Sequence, residues 1–148
     1  MQILPPASAT DFVWLSLRSR LWPDGNESEH LRYMADALAR GHFVRIASAP
    51  DGSAVGFVEA SQRVDYVNGT STSPVAFLEG LYVEPSARRR GIAQALVAEV
   101  ERWAVAQGCS ELASDSPLEN VVAHATHRAL GFEETERVVY FRRALHRA

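Results

Sequence analysis

Apolar positions along this chain recur with two periods, and each change of period marks an element. Gln2-Ile3-Leu4 reads as a short strand that Pro5-Pro6 ends. From Thr10 apolar residues take helical spacing through Phe12 and Leu15 to Leu21, and Trp22-Pro23-Asp24-Gly25 breaks the run. Asn26 with Glu29 three residues later predicts a second helix, running to about Arg40 before Gly41. Phe43–Ala47 and Val55–Val64 read as strands joined by the turn Ala49-Pro50-Asp51-Gly52. A polar loop from Asp65 to Ser73 leads to a third apolar run, Val75–Val83. A long helix follows from about Gly91 to Gln107, stopped at Gly108, and then a strand near Glu111–Ser114. Ser116-Pro117-Leu118-Glu119 predicts a last helix, with Ser116 as its cap and Pro117 at its first position, ending at Gly131. A last strand follows, through Val138–Phe141.

That order predicts a single α/β domain over residues 1–148. The middle three strands form an antiparallel meander, and the two later helices are crossovers on a mixed, mostly antiparallel sheet. A content of 47% hydrophobic and 22% charged residues fits a globular chain. No apolar run approaches the roughly 20 residues that cross a bilayer, and the N-terminus lacks the pattern of a signal peptide. The expectation is a cytoplasmic protein with no membrane partner. A net charge of −3 argues against nucleic acid as the partner. The single cysteine, Cys109, excludes an intrachain disulfide or a cysteine-rich zinc site, and no metal is expected. Cys109 itself reads as a small buried hydrophobe.

Charge is concentrated in one place. After Leu81-Tyr82-Val83 comes Glu84-Pro85-Ser86-Ala87-Arg88-Arg89-Arg90-Gly91-Ile92-Ala93, a strand end, a basic loop and a helix start. The first turn of a helix offers unpaired N–H groups and the positive end of its dipole, so it can hold a phosphate. Gly91 and Ala93 would allow close approach, and Arg88–Arg90 would neutralise the charge. On composition alone, the three arginines equally read as a solvated face.

Acidic residues stand where apolar ones are the rule. Glu79 interrupts Phe77-Leu78-Glu79-Gly80-Leu81, and period-2 alternation puts it on one face with Phe77, Leu81 and Val83. A carboxylate there needs a cation, a hydrogen-bond network or water. A structural ion pair to an arginine and a functional role both satisfy that need. Asp115 sits at the carboxyl end of a strand before a helix, and Glu136 falls on the final strand. Trp22 and Tyr66 lie beside or within loops and could pack or line a cleft.

Arg88-x-x-Gly91-x-Ala93 after a strand resembles the acetyl-CoA pyrophosphate loop of the GCN5-related N-acetyltransferase (GNAT) superfamily. Asn120, Ala123 and Ala129-Leu130-Gly131-Phe132 resemble its second motif. The resemblance covers essentially the whole chain. It implies the GNAT fold, with the fourth and fifth strands splayed to admit acetyl-CoA. It also implies a cofactor site made by Leu81, Tyr82, Val83, Arg88, Arg89, Arg90, Gly91, Ile92, Ala93 and Asn120. Many members carry a tyrosine general acid four residues before the glycine of the second motif; here that position is His127. His127, Tyr140 or solvent could supply the proton.

The runs around Trp22, Asp65–Gly69, Phe77–Gly80, Ala113–Asp115 and Gly131–Val138 further resemble aminoglycoside 6′-N-acetyltransferases within the superfamily. That likeness implies a polycationic antibiotic as acceptor, held by Trp22, Tyr66, Glu79, Asp115 and Glu136. Glu79 is the first candidate for general base and Asp115 the second. Members commonly form homodimers, which implies one here. Two other readings stay open: the same chemistry on a polyamine or peptide amine, and a non-catalytic acyl-CoA-binding module.

Overall fold

A computed structural model describes residues 1–146. The chain divides into two compact units, Met1–Asp115 and the part from Ser116 onward. The first unit is a five-stranded sheet in the order β1 (Gln2–Leu4), β2 (Phe43–Ser48), β3 (Ala54–Arg63), β4 (Val75–Val83), β5 (Leu112–Ser114). Helices α1 (Phe12–Leu21) and α2 (Glu27–Ala39) precede the meander, and α3 (Ile92–Ala106) connects β4 to β5. The first four strands pair antiparallel and β5 joins β4 in parallel, so the sheet is mixed as the sequence predicts.

Capping fixes where the early helices begin. Asp11, one residue later than expected, accepts from the N–H groups of Val13 at 2.8 Å and Trp14 at 3.1 Å. Asn26 accepts from the Glu29 N–H at 2.8 Å while its own amide donates to the Glu29 carboxylate, the reciprocal pair read in the sequence.

One irregularity in β4 reorganises its faces. β3 and β4 pair Glu59 with Gly80 and then Ala60 with Leu78, so Glu79 is an extra residue bulged out of β4. Residues opposed across an antiparallel pair share a face. Glu59, Ser61 and Arg63 therefore stand with Gly80, Phe77 and Val75 on one face of the sheet. Leu81 and Val83 turn to the other face, opposite Val58 and Gly56. Simple alternation had placed them with Glu79; the inserted residue inverts the parity beyond it.

Each face carries its own core. Trp14, Leu15 and Leu17 of α1 and Met34 and Ala37 of α2 bury against Val44, Ile46 and Phe57. On the opposite face Ala76 packs with Ala104 of α3 and with Cys109, which is buried as expected. Parallel pairing of β4 with β5 ends at Leu78 and Ser114, although β4 continues to Val83. The stretch Glu79–Val83 thus runs on past β5, the separation of the fourth and fifth strands that the resemblance implied.

In the second unit α4 spans Val121–Ala129. Its cap is Asn120, whose side chain accepts from Ala123 N–H at 3.1 Å. The expected start at Ser116-Pro117 is corrected: the Pro117 carbonyl instead accepts from the Asn120 N–H at 3.0 Å, closing a turn ahead of the helix. Asn caps a helix as well as Ser does, and Asn120 takes that role here. No strand forms at Val138–Phe141; residues 132–146 carry no regular secondary structure. Its residues give that segment the capacity to pair, but a strand exists only where a neighbour takes up its backbone hydrogen bonds.

Candidate functional site

The basic loop is built for an anion. A single 3-10 turn, Pro85–Ala87, leads out of β4, and Arg88 turns back so that its Nε donates to the Val83 carbonyl at 3.0 Å. Arg89 and Gly91 then adopt left-handed backbone, with φ of 64° and 78°. Gly91 is the cap of α3 and brings no side chain to its first turn. Open space surrounds the position a Gly91 β-carbon would take, so glycine is there for its backbone angle rather than for lack of room. The amides of that turn are left for a ligand, and Arg88, Arg89 and Arg90 are all exposed around them. Leu81, Tyr82 and Val83 lead into this loop along the β4 stretch that β5 leaves unpaired, and Ile92 and Ala93 begin the helix.

On the sheet face beneath α1 and α2, the bulge aims Glu79 at β3. Ser61 donates to its Oε1 at 2.5 Å, and Arg63 Nη2 donates to Oε1 at 2.9 Å and Oε2 at 3.2 Å. The Arg63 guanidinium also lies 3.6 Å above the centroid of Phe77. The expected arginine partner is present, and Glu79 remains partly open to solvent. Trp22 lies beside it. The ring sits over Gly80 so closely that a β-carbon there would meet Cη2 and fall 2.9 Å from Cζ2.

Behind Trp22 lies a buried ionic network. Arg18 Nη1 donates to both oxygens of Glu59, 2.6 Å to Oε2, and Trp14 Nε1 donates to Oε1 at 2.8 Å. Arg18 Nε donates to His30 Nδ1 at 3.3 Å, so His30 carries its proton on Nε2, which donates to the Trp22 carbonyl at 3.1 Å. The Arg18 guanidinium is stacked on Trp22 and Tyr33, with centroid distances of 4.6 and 4.2 Å. Burial pushes the Glu59 carboxyl up, against the opposing pull of Arg18 and Trp14. The Tyr33 hydroxyl is pushed up to about 12, first by burial and then by Glu59 and Glu79.

Asp115 follows Ser114 directly, one step beyond the last parallel pair, as Glu79 follows Leu78. The two carboxylates therefore extend neighbouring strands, and Asp115 is exposed. Tyr66 is 74% exposed, next to Val67, which packs on Val75 and Phe77. Among residues of the second unit, Asn120 spends its Oδ1 as a helix cap. His127 Nδ1 donates to the Ala123 carbonyl at 2.7 Å, and its ring meets Phe132 edge-on. Nε2 is consequently the acceptor of neutral His127, and only the imidazolium could release a proton from it. Glu136 is exposed on the segment after α4.

Sequence reasoning missed Ser61, Arg63, Arg18, Glu59, His30 and Tyr33. A signal for three of them was there: Glu59, Ser61 and Arg63 place a polar side chain at every second position in the latter half of the strand. Among the described residues no three His, Cys, Asp or Glu side chains gather as a metal site.

Comparison with known proteins agrees with this geometry. The acetyltransferase (GNAT) family model matches residues 12–132. An aminoglycoside N(6′)-acetyltransferase type 1 from Acinetobacter haemolyticus is 49% identical over 141 residues, 95% of this chain and 97% of the relative. One of the same name from Stenotrophomonas maltophilia is 53% identical, over 95% of this chain and 90% of its own. The apo crystal structure of the aminoglycoside antibiotic 6′-N-acetyltransferase from Acinetobacter haemolyticus superposes with a TM-score of 0.91 at 46% identity, covering 99% of this chain and 100% of that one. The enzyme AAC(6′)-Iy, in complex with the bisubstrate analogue CoA-S-monomethyl-acetylneamine, gives 0.87 at 45% identity, with 97% of each chain covered.

Proposed function

The chain belongs to the acetyltransferase (GNAT) family, and from that premise we infer that it transfers the acetyl group of acetyl-CoA to the 6′-amine of an aminoglycoside antibiotic, conferring resistance. The observation that carries this reading is the arrangement along β4. One strand bears Glu79, aimed by its bulge at the face where Trp22 sits, and ends in the loop that opens the N-terminus of α3. An anion site and an acidic acceptor wall thus lie on one rigid element. Relatives at about half identity along nearly the whole chain bear the same activity in their names.

Acetyl-CoA supplies an activated thioester. The first-turn amides of α3, with Arg89 and Gly91 in left-handed conformation and three exposed arginines, fit its pyrophosphate. Asn120 would contribute its Nδ2 amide, since Oδ1 is engaged. The Val83 N–H is assigned to the acetyl oxygen, where developing negative charge would be stabilised. An ammonium acceptor must lose a proton before it can form an amide. Glu79 takes that proton, directly or through water, and Asp115 and Glu136 hold other ammonium groups of the drug. Trp22 and Tyr66 present flat apolar surfaces to its rings. His127 or Tyr140 returns a proton to the departing thiolate, His127 only when doubly protonated.

The whole chain acts as one cytoplasmic catalytic domain; no described helix is long and apolar enough to cross a membrane. Val138, Val139, Tyr140 and Phe141 leave their side chains 39, 67, 83 and 92% exposed in the absence of a paired strand. A second copy of the chain would cover them, giving a homodimer. Sedimentation showing only monomer at micromolar concentration would refute that part.

The activity test follows thiol release from acetyl-CoA with kanamycin or with a derivative bearing a 6′-hydroxyl. Turnover with the first alone is expected. Turnover of spermidine or peptides but of no aminoglycoside would point to the polyamine or peptide reading. Acyl-CoA binding with no acceptor turned over would point to a non-catalytic module.

A further inference from the structure

Glu79 is already paired. Arg63 reaches both of its oxygens, is held over Phe77, and is nevertheless 44% exposed, on a carboxylate that is itself 20% exposed. The pair is therefore not a buried strut. Removing it strands no charge in the core, because Ser61 keeps its own bond to Oε1. A guanidinium set across a carboxylate at the mouth of an acidic, aromatic wall occupies the position that an acceptor's ammonium would need.

We propose that Arg63 is an internal counter-cation, a surrogate for substrate charge that an incoming amine must displace from Glu79. The proposal rests on the reading of Glu79 as part of the acceptor site. Its consequence is selectivity. A singly charged amine offers one ionic contact in exchange for the one it breaks, and gains little. A polycation that also meets Asp115 or another carboxylate makes up the loss elsewhere, so Arg63 discriminates in favour of acceptors with several charges. Phe77 keeps the displaced guanidinium close, because stacking on the ring survives a small swing away from Glu79. Arg63 does not touch the reacting atoms; it is a specificity-determining residue acting through Glu79.

Arg63→Gln provides the test, with Arg102→Gln as a control of equal charge change. Arg102 is exposed on α3, where it pairs with Glu99 and not with Glu79, so its removal alters net charge without touching the Glu79 pair. Neamine binding is measured by calorimetry in the acetyl-CoA-loaded protein, alongside kcat and KM. In Arg63→Gln, neamine should bind about three- to tenfold more tightly, as expected when a partly exposed ion pair no longer competes for the site. The KM for acetyl-CoA should stay as in the wild type. Arg102→Gln should leave both values unchanged. A larger gain for a monoamine than for neamine is also expected, because the monoamine cannot offset the displacement. Unchanged or weaker neamine binding in Arg63→Gln overturns the proposal, as does an equal gain in Arg102→Gln. If the wild type acetylates no aminoglycoside, the reading of the substrate fails separately, and the same calorimetric comparison with spermidine still decides the role of Arg63.

Discussion

The indole of Trp22 occupies the space that any side chain on Gly80 would need. Gly80 lies immediately after the bulge, so the residue that aims Glu79 and the one that admits Trp22 are neighbours in the chain. Gly80→Ala should therefore push the ring off the sheet, because the backbone of β4 is held by its neighbours and cannot yield. Acceptor KM is expected to rise about tenfold, the size of one lost aromatic contact, with acetyl-CoA KM unaltered. Steady-state kinetics in both substrates will show the split; equal changes in both would mean that the whole sheet had moved.

Glu79→Gln keeps the size of the side chain and the Ser61 hydrogen bond but removes the base. A fall in kcat of about 100-fold is expected, with thermal stability close to wild type because the ion pair lost is partly exposed. A kcat within a few-fold of wild type would transfer the base role to Asp115 or to water.

Gly91→Ala separates backbone strain from sterics, since no neighbour stands where the new methyl would go. Forcing an L-residue into φ of 78° should cost about 1 to 2 kcal/mol. In a chain of this size each kcal/mol lowers Tm by roughly 2 to 4 °C. If the loop relaxes to avoid the strain, it does so at the pyrophosphate amides, and the acetyl-CoA KM should rise while the acceptor KM holds. Calorimetry and kinetics together distinguish the two responses.

Much of this was readable before any coordinates. Helix α2 and its cap, the meander and the basic loop each had a local signature: Asn26 with Glu29, the Pro50-Asp51-Gly52 turn, and Gly91 after three arginines. What escaped were matters of pairing. A bulge is invisible in a strand's own sequence, because it records a mismatch in length with the partner strand. The Arg18–Glu59 pair joins residues 41 positions apart, and nothing within either segment names the other as its partner. The last strand failed for the opposite reason: Val138–Phe141 has the residues of a strand, but no partner strand meets it among the described residues.

Tyr33 offers a pH test with a definite sign. Its hydroxyl is raised from 10.0 to about 12 by burial and by the charges of Glu59 and Glu79. The folded protein thus holds this proton where the unfolded chain has released it. The stabilisation is complete below pH 10 and is lost as pH rises through the window from 10 to about 12. Ultraviolet titration of tyrosinate should show a late step that Tyr33→Phe abolishes, and the variant should lose less stability across that window than wild type. A late step that persists in Tyr33→Phe would assign it to another tyrosine.

The bulge at Glu79 also sets what kinds of genetic change this strand can absorb. Substitutions in β4 alter one side chain at a time and leave its phase intact. A single-codon deletion of Glu79 would erase the bulge and let β4 pair with β3 without interruption, keeping Leu81 opposite Val58 and Val83 opposite Gly56. The sheet would absorb such a gap with its two faces unchanged, and only the carboxylate that the bulge aims would be lost. Drift among descendants of this chain can therefore shorten β4 by one residue at this point without inverting the strand, with loss of the acidic position.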